Sequence, residues 1–188
     1  MEHFEKELSW IKNEKIREQT RKAIGNVAPE FFQAAASSTG KYHPSYALGE
    51  GGLYRHTRAA VGIAKDLLEL EWIKNQTNDD ERDYILAALI LHDTAKSGKC
   101  WDSKYTRHDH PLQAAELIKD NFEGEENREF VGNVCPMIES HMGQWNTCRY
   151  DGTVLPKPEE LSEFIVHVCD YLASRKYLEY KFEEDANE

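Results

Sequence analysis

Long apolar runs are missing from this chain of 188 residues. No stretch approaches the length of a membrane span, which argues against an integral membrane protein. Cysteine is scarce: Cys100, Cys135, Cys148 and Cys169 show no Cys-x-x-Cys spacing, so neither a disulfide framework nor a thiolate zinc site is expected. Free thiols suit a reducing, cytoplasmic setting. Positive charge is short as well, with 23 Lys and Arg against 34 Asp and Glu, a net charge of −11. That balance disfavours broad contact with long duplex nucleic acid, yet leaves room for a small basic pocket. Internal repeats, heptads, low-complexity tracts and convincing strands are lacking too. The opening Met-Glu-His-Phe-Glu-Lys-Glu is charged and amphipathic, unlike a secretory signal. Only the acidic end, 183–188, has the composition of a disordered tail. The length suits one domain with a substantial core.

What is present is helical periodicity nearly throughout, and it predicts an all-α fold. A first helix is expected over about 4–24, carried by Phe4, Leu8 and Ile11, and a short second one over 31–37. A loop rich in glycine follows over 40–52. The third helix is expected over about 53–74, the fourth over 80–93. After an irregular polar connection over 101–109, Pro111 opens a fifth helix that ends before Gly124. The sixth is expected over 126–141, a loop over 143–158, and the last helix over 159–182. Exposed apolar residues on the first helix, such as Trp10, would leave a homo-oligomer open.

The chemistry gathers at the end of the fourth helix. Its run Tyr84-Ile-Leu-Ala-Ala-Leu-Ile-Leu91 has no polar face and reads as a helix buried on all sides. His92 and Asp93 follow directly. A carboxylate there meets the negative end of the helix dipole, in apolar surroundings, and a bound cation would offset both costs. His56 lies on the stripe Leu53, His56, Ala60, Ile63 and Leu67. His141 follows Phe130, Val134, Met137 and Ile138 on another. Asp170 sits within the apolar segment Phe164 to Ala173, and His110 stands at the mouth of the fifth helix. Singly, each such histidine is more often a core residue bonded to a carbonyl, and Asp170 could pair with Arg175. Jointly they describe a cluster that a helical bundle has little reason to bury without a metal. Imidazole and carboxylate donors suit Mn²⁺, Fe²⁺, Co²⁺, Ni²⁺ or Zn²⁺, with Mg²⁺ also compatible.

The ordered series Gly51-Gly-Leu-Tyr-Arg-His56-Thr, Leu91-His92-Asp93-Thr-Ala-Lys96, His110-Pro-Leu-Gln-Ala-Ala-Glu-Leu, Ser140-His141 and Asp170 resembles the HD superfamily of metal-dependent phosphohydrolases, over about 43–175. The resemblance implies an HD-like bundle of six to seven helices, preceded here by a helical extension over 1–37. It implies metal ligands at His56, His92, Asp93 and Asp170, with a second ion on His110 and His141 in the two-metal subset, Asp93 bridging. Lys96 also fits that subset and would contact a phosphoryl oxygen; its simpler reading is a cation at a helix C-terminus. His43-Pro44 and Pro156-Lys-Pro-Glu159 are similar to the HD domain of 3′-to-5′ exoribonucleases. Within these 188 residues the stretch before the core does not match that branch's nucleic-acid-binding OB domain, and no Gly-Tyr-Pro follows His141.

The expected activity is a two-metal phosphodiesterase acting on nucleotides or short single-stranded nucleic-acid ends. The alternatives are a one-metal nucleotidase or deoxynucleoside triphosphohydrolase, and, in another class, a nucleotide-sensing helical module without turnover. Arg55, Lys99, Lys104, Arg107 and Arg149 fall in segments expected around the site and, with His43, are candidate substrate contacts; a solvated surface charge is the simpler reading of each basic one. Trp101, Trp145 and Tyr150 could stack on a base or pack the loops onto the bundle. His3, His108 and His167 read as structural or exposed, and Cys169 as a small core residue.

Overall fold

The computed structural model describes residues 3–37, 39–103 and 105–178. Eight α-helices are found among them: α1 (Glu5–Leu8), α2 (Glu14–Ile24), α3 (Gly52–Leu68), α4 (Glu71–Lys74), α5 (Asp79–Leu91), α6 (His110–Asn121), α7 (Arg128–Glu139) and α8 (Leu161–Ala173). An isolated antiparallel bridge joins Thr147 to Val154, and no strand is found among the described residues. The fold is an all-α bundle.

Helix α5 is its axis. Every residue from Asp83 to Leu91 is buried, and α2, α3, α7 and α8 pack around it. Asn78 caps its start by accepting from the Glu81 amide, and Asp79, Asp80 and Glu81 face the positive end of the dipole. Because the helix is apolar on all sides, it cannot sit at a surface; its C-terminal end, with His92 and Asp93, is therefore delivered to the interior.

Several expected boundaries fall elsewhere. The continuous first helix is broken into α1 and α2. Asn13 caps α2 through its side chain while its own amide donates to Asp83 (2.6 Å) and its side-chain amide to Asp80 (2.8 Å). The break lets the chain bend over α5, a contact that periodicity cannot register. Over 31–37 there is only a 3₁₀ turn, Pro29–Phe32. The third helix stops at Leu68, with α4 a separate turn, and its buried stripe runs through Ala64 and Leu68, leaving Ile63 and Leu67 partly exposed. The last helix ends at Ala173; the expected continuation to 182 and the acidic tail lie partly or wholly outside the described residues. Trp10 is no exposed anchor: it packs against the core, with the Lys6 and Lys65 ammonium groups over its ring.

The Gly-Gly-Leu before His56 has a steric origin. Gly51 adopts φ 70°, and a Cβ on Gly52 would stand 2.3 Å from the Ala47 carbonyl oxygen. The two glycines let the 44–48 turn press against the start of α3, which fixes that helix and so the height of His56. Gly52→Ala should cost about 1–3 kcal/mol through forced backbone displacement. The measurement is the urea midpoint at unchanged m-value; a midpoint equal to the parent's would contradict the close-packing account.

Candidate metal centre

His56 projects from the second turn of α3, and Asp170 from the last turn of α8. His92 caps α5, His110 opens α6, and His141 follows α7 by two residues. All four histidines are buried, Asp93 is 1 % exposed, and the Asp170 side chain is 20 % exposed toward a cavity. The structure thus brings together all six residues singled out as ligands.

Three of the rings share one device. His92 Nδ1 lies 2.7 Å from the Leu89 carbonyl, His110 Nδ1 2.6 Å from that of Arg107, and His141 Nδ1 2.7 Å from that of Ile138. Each carbonyl is three residues upstream, and two of them belong to last-turn peptides that lack a partner within their own helix. A carbonyl can only accept, so Nδ1 carries the proton in each ring. In a neutral imidazole Nε2 is then a lone pair, and all three lone pairs face the centre. This is the outer-shell bonding that orients histidine toward a metal.

The inward atoms are crowded. His56 Nε2 lies 2.9 Å from Asp170 Oδ1 and 3.8 Å from Asp93 Oδ2; His92 Nε2 lies 3.4 Å from each of the same two oxygens. On the other side, His110 Nε2 lies 3.0 Å and His141 Nε2 3.9 Å from Asp93 Oδ1. His110 Nε2 and His141 Nε2 are 3.1 Å apart. Each Nδ1 is already committed to a carbonyl, so a hydrogen bond in that contact would need one of the two rings to carry a second proton. His92 Nε2 and Asp93 Oδ1 are buried with no hydrogen-bond partner. Such orphans cost stability unless a cation is supplied.

A divalent ion fits these donors. Tetrahedral ligands at about 2.1 Å from an ion stand roughly 3.4 Å from one another. The observed separations bracket that figure. They fall into two groups, His56, His92, Asp93 and Asp170 on one side and Asp93, His110 and His141 on the other, sharing Asp93.

The charges are strongly coupled. Burial raises the Asp93 carboxyl, but Lys96, His92 and His110 outweigh it and hold the group well below the usual carboxylate range. Burial likewise opposes ionisation of Asp170, and the adjoining His56 and His92 rings prevail. Burial pulls His92 down, yet the two carboxylates push it up overall. Burial, reinforced by His92 and His110, drives His141 down to about 3, so its ring stays neutral. Lys96 Nζ stands 2.5 Å from Asp93 Oδ2.

Above the centre lies a cavity of about 250 Å³, lined in part by His43, Lys96, Asp170 and Arg175. It adjoins a groove of about 970 Å³ between the 106–110 connection and the 142–153 loop. His43 lines the smaller cavity, its ring 5.4 Å from that of His56, and burial followed by repulsion from His56 and Lys96 lowers it to about 4. Arg107 and Arg149 line the groove, although Arg107 is tied to Asp109.

Two other expected substrate contacts are not placed at the cavities. Arg55 donates to the carbonyls of Tyr46, Leu48 and Glu50, and so braces the turn before α3. Lys99 pairs with Asp120 and Glu116, because the chain reverses after α5 and carries it over the acidic face of α6. Lys104 lies outside the described residues. Trp101 is partly buried and donates to the Thr94 carbonyl, away from both cavities.

Arg175 and His167 were not expected at the site, yet both line the smaller cavity. A signal was available: His167, Asp170, Tyr171 and Ser174 recur at helical spacing and share one face of α8.

The fold and the shared carboxylate define a helical protein with a buried His/Asp centre able to take divalent metal. A family model described as HD domain matches residues 51–175, and the chain belongs to that family. Membership suggests a metal-dependent phosphohydrolase. Comparison with curated proteins and with solved structures finds no match. No helix among the described residues is long and apolar enough to cross a membrane.

Proposed function

We propose that the chain is a two-metal phosphodiesterase of the HD type, with its core at about 43–175, acting on nucleotides or short single-stranded nucleic-acid ends. The observation that carries this reading is the close approach of His110 Nε2 and His141 Nε2 (3.1 Å) beside the common ligand Asp93. It supports a second ion, held by Asp93, His110 and His141, next to a first held by His56, His92, Asp93 and Asp170. Bound divalent ions of this class polarise phosphoryl oxygens and lower the pKa of a water to near neutrality.

The chain's own groups do the positioning. His92, His110 and His141 stay oriented because their Nδ1 protons are committed to main-chain carbonyls. Lys96, at the cavity wall beside Asp93, offers a cation to a non-bridging oxygen. Arg175 offers a second. Resemblance of His43-Pro44 and Pro156-Lys-Pro-Glu159 to the exoribonuclease HD domain favours a diester. The net charge of −11 and the confinement of the site to a cavity favour a small phosphoester over long duplex. Cys100, Cys135, Cys148 and Cys169 are free thiols, in keeping with a cytoplasmic setting.

The test is a panel of an aryl phosphodiester, mononucleotides, cyclic nucleotides and short oligomers, assayed with several metals. Mn²⁺-dependent diester hydrolysis, abolished by chelation, is the expected result. Release of triphosphate or monophosphate with diesters untouched would transfer the reading to a nucleotidase. Silence of metal-loaded protein on the whole panel would leave a nucleotide sensor.

A further inference from the structure

We infer that Trp145 is a preformed stacking platform for a nucleobase of the substrate, so that the site selects base-bearing diesters over bare phosphoesters. The inference rests on the phosphohydrolase reading and names what lies beyond the scissile phosphate.

Trp145 stands where the two cavities meet, as part of the lining of both, together with Thr106, His110 and Met142. A ligand with its phosphate over the centre therefore passes Trp145 on entering the groove. The indole is 45 % exposed, although it has aromatic partners available inside. Its ring stacks on Tyr171 (centroids 5.3 Å, planes 16° apart), and the Arg175 guanidinium stands 4.4 Å over that same Tyr171 ring. The stack holds the indole in place while a large part of its surface remains open. Ordering such a side chain is a cost of binding, and here the fold has already met it.

The loop that carries Trp145 is also fixed. Asn146 bonds Leu155 in both directions through main chain and side chain, and Cys148 donates to Thr153. His108, on the facing wall, donates to the Asn146 carbonyl (3.1 Å), and His167 donates to that of His141 (2.7 Å). Along the groove, Tyr150 is fully exposed, and Arg149 makes no ion pair among the described residues. A fixed indole, a free aromatic ring and an unpaired guanidinium along one groove, continuous with a phosphate-directed centre, match a planar base on an anionic backbone. They match an apolar peptide less well, since its backbone brings no charge for Arg149.

The test compares a hydrolysis-resistant phosphorothioate tetrathymidylate with an abasic tetramer of equal charge, titrated calorimetrically into the protein as purified. The parent should bind the base-bearing oligomer about ten-fold more tightly. Trp145→Leu should lose that preference and leave abasic binding unchanged, whereas Trp145→Phe should keep most of it. Equal binding of the two oligomers by the parent, no measurable binding of either, or an undiminished preference in Trp145→Leu would overturn the inference. Failure of the phosphohydrolase reading would look different: base-dependent binding intact, with no diester cleaved under any metal.

Discussion

Asp93→Ala should bind almost no divalent metal and should lose turnover by about a thousand-fold or more, because the water-activating ions go together. Asp93 is the residue common to both ligand groups, with Oδ2 toward His56 and His92 and Oδ1 toward His110 and His141. Without it, two neighbouring ions would have no shared anion between them and would repel across a short gap in a buried site. Asp93→Asn is the stricter variant. It keeps the volume of a side chain that is 1 % exposed, but removes the charge, and its amide nitrogen has no lone pair to offer an ion. Elemental analysis by mass spectrometry gives the metal content, hydrolysis of an aryl phosphodiester the turnover, and far-UV circular dichroism the integrity of the fold. A folded Asp93→Asn protein that retains a full complement of metal would refute Asp93 as the shared ligand.

His110→Ala and His141→Ala should each lower metal content from two ions per chain to one, with a sharp fall in diester hydrolysis. The first group, His56, His92, Asp93 and Asp170, is untouched by either change. Both folds should survive. His110 stands in the first helical turn of α6, where alanine is well tolerated, and the Arg107 carbonyl that loses the ring still accepts from the main-chain amide of residue 110 (3.3 Å). His141→Ala removes the ring's bond to the Ile138 carbonyl, which keeps the main-chain amide of residue 141 as a donor (3.3 Å). In both variants the ring that remains loses its 3.1 Å contact with the other. A parent protein holding a single ion, with unaltered stoichiometry in both variants, would point to the one-metal nucleotidase.

Much of the architecture was legible because α5 is apolar on every side, a pattern with only one placement in a bundle, and because ligands on helices recur at positions that periodicity can assign. His56 could be assigned to a buried stripe for that reason. The errors have equally physical sources. The break between α1 and α2 depends on Asp80 and Asp83, far along the chain from Asn13. The direction of Lys99 depends on Glu116 and Asp120, and that of Arg55 on three carbonyls of a turn. Long cationic side chains follow whichever acceptor the fold brings near, and sequence position does not encode that choice.

The sequence by itself determined the helical class, the interior position of His92 and Asp93, and a donor set of imidazole and carboxylate, since each follows from local periodicity and side-chain chemistry. Only the tertiary structure decided that the donors form two groups sharing Asp93, that three rings are locked by carbonyls three residues upstream, and that Trp145 rather than Trp101 lines the groove beside the centre. Those outcomes depend on how helix ends from distant parts of the chain meet, with carbonyls left free at one end and rings arriving from another, and packing alone sets that meeting.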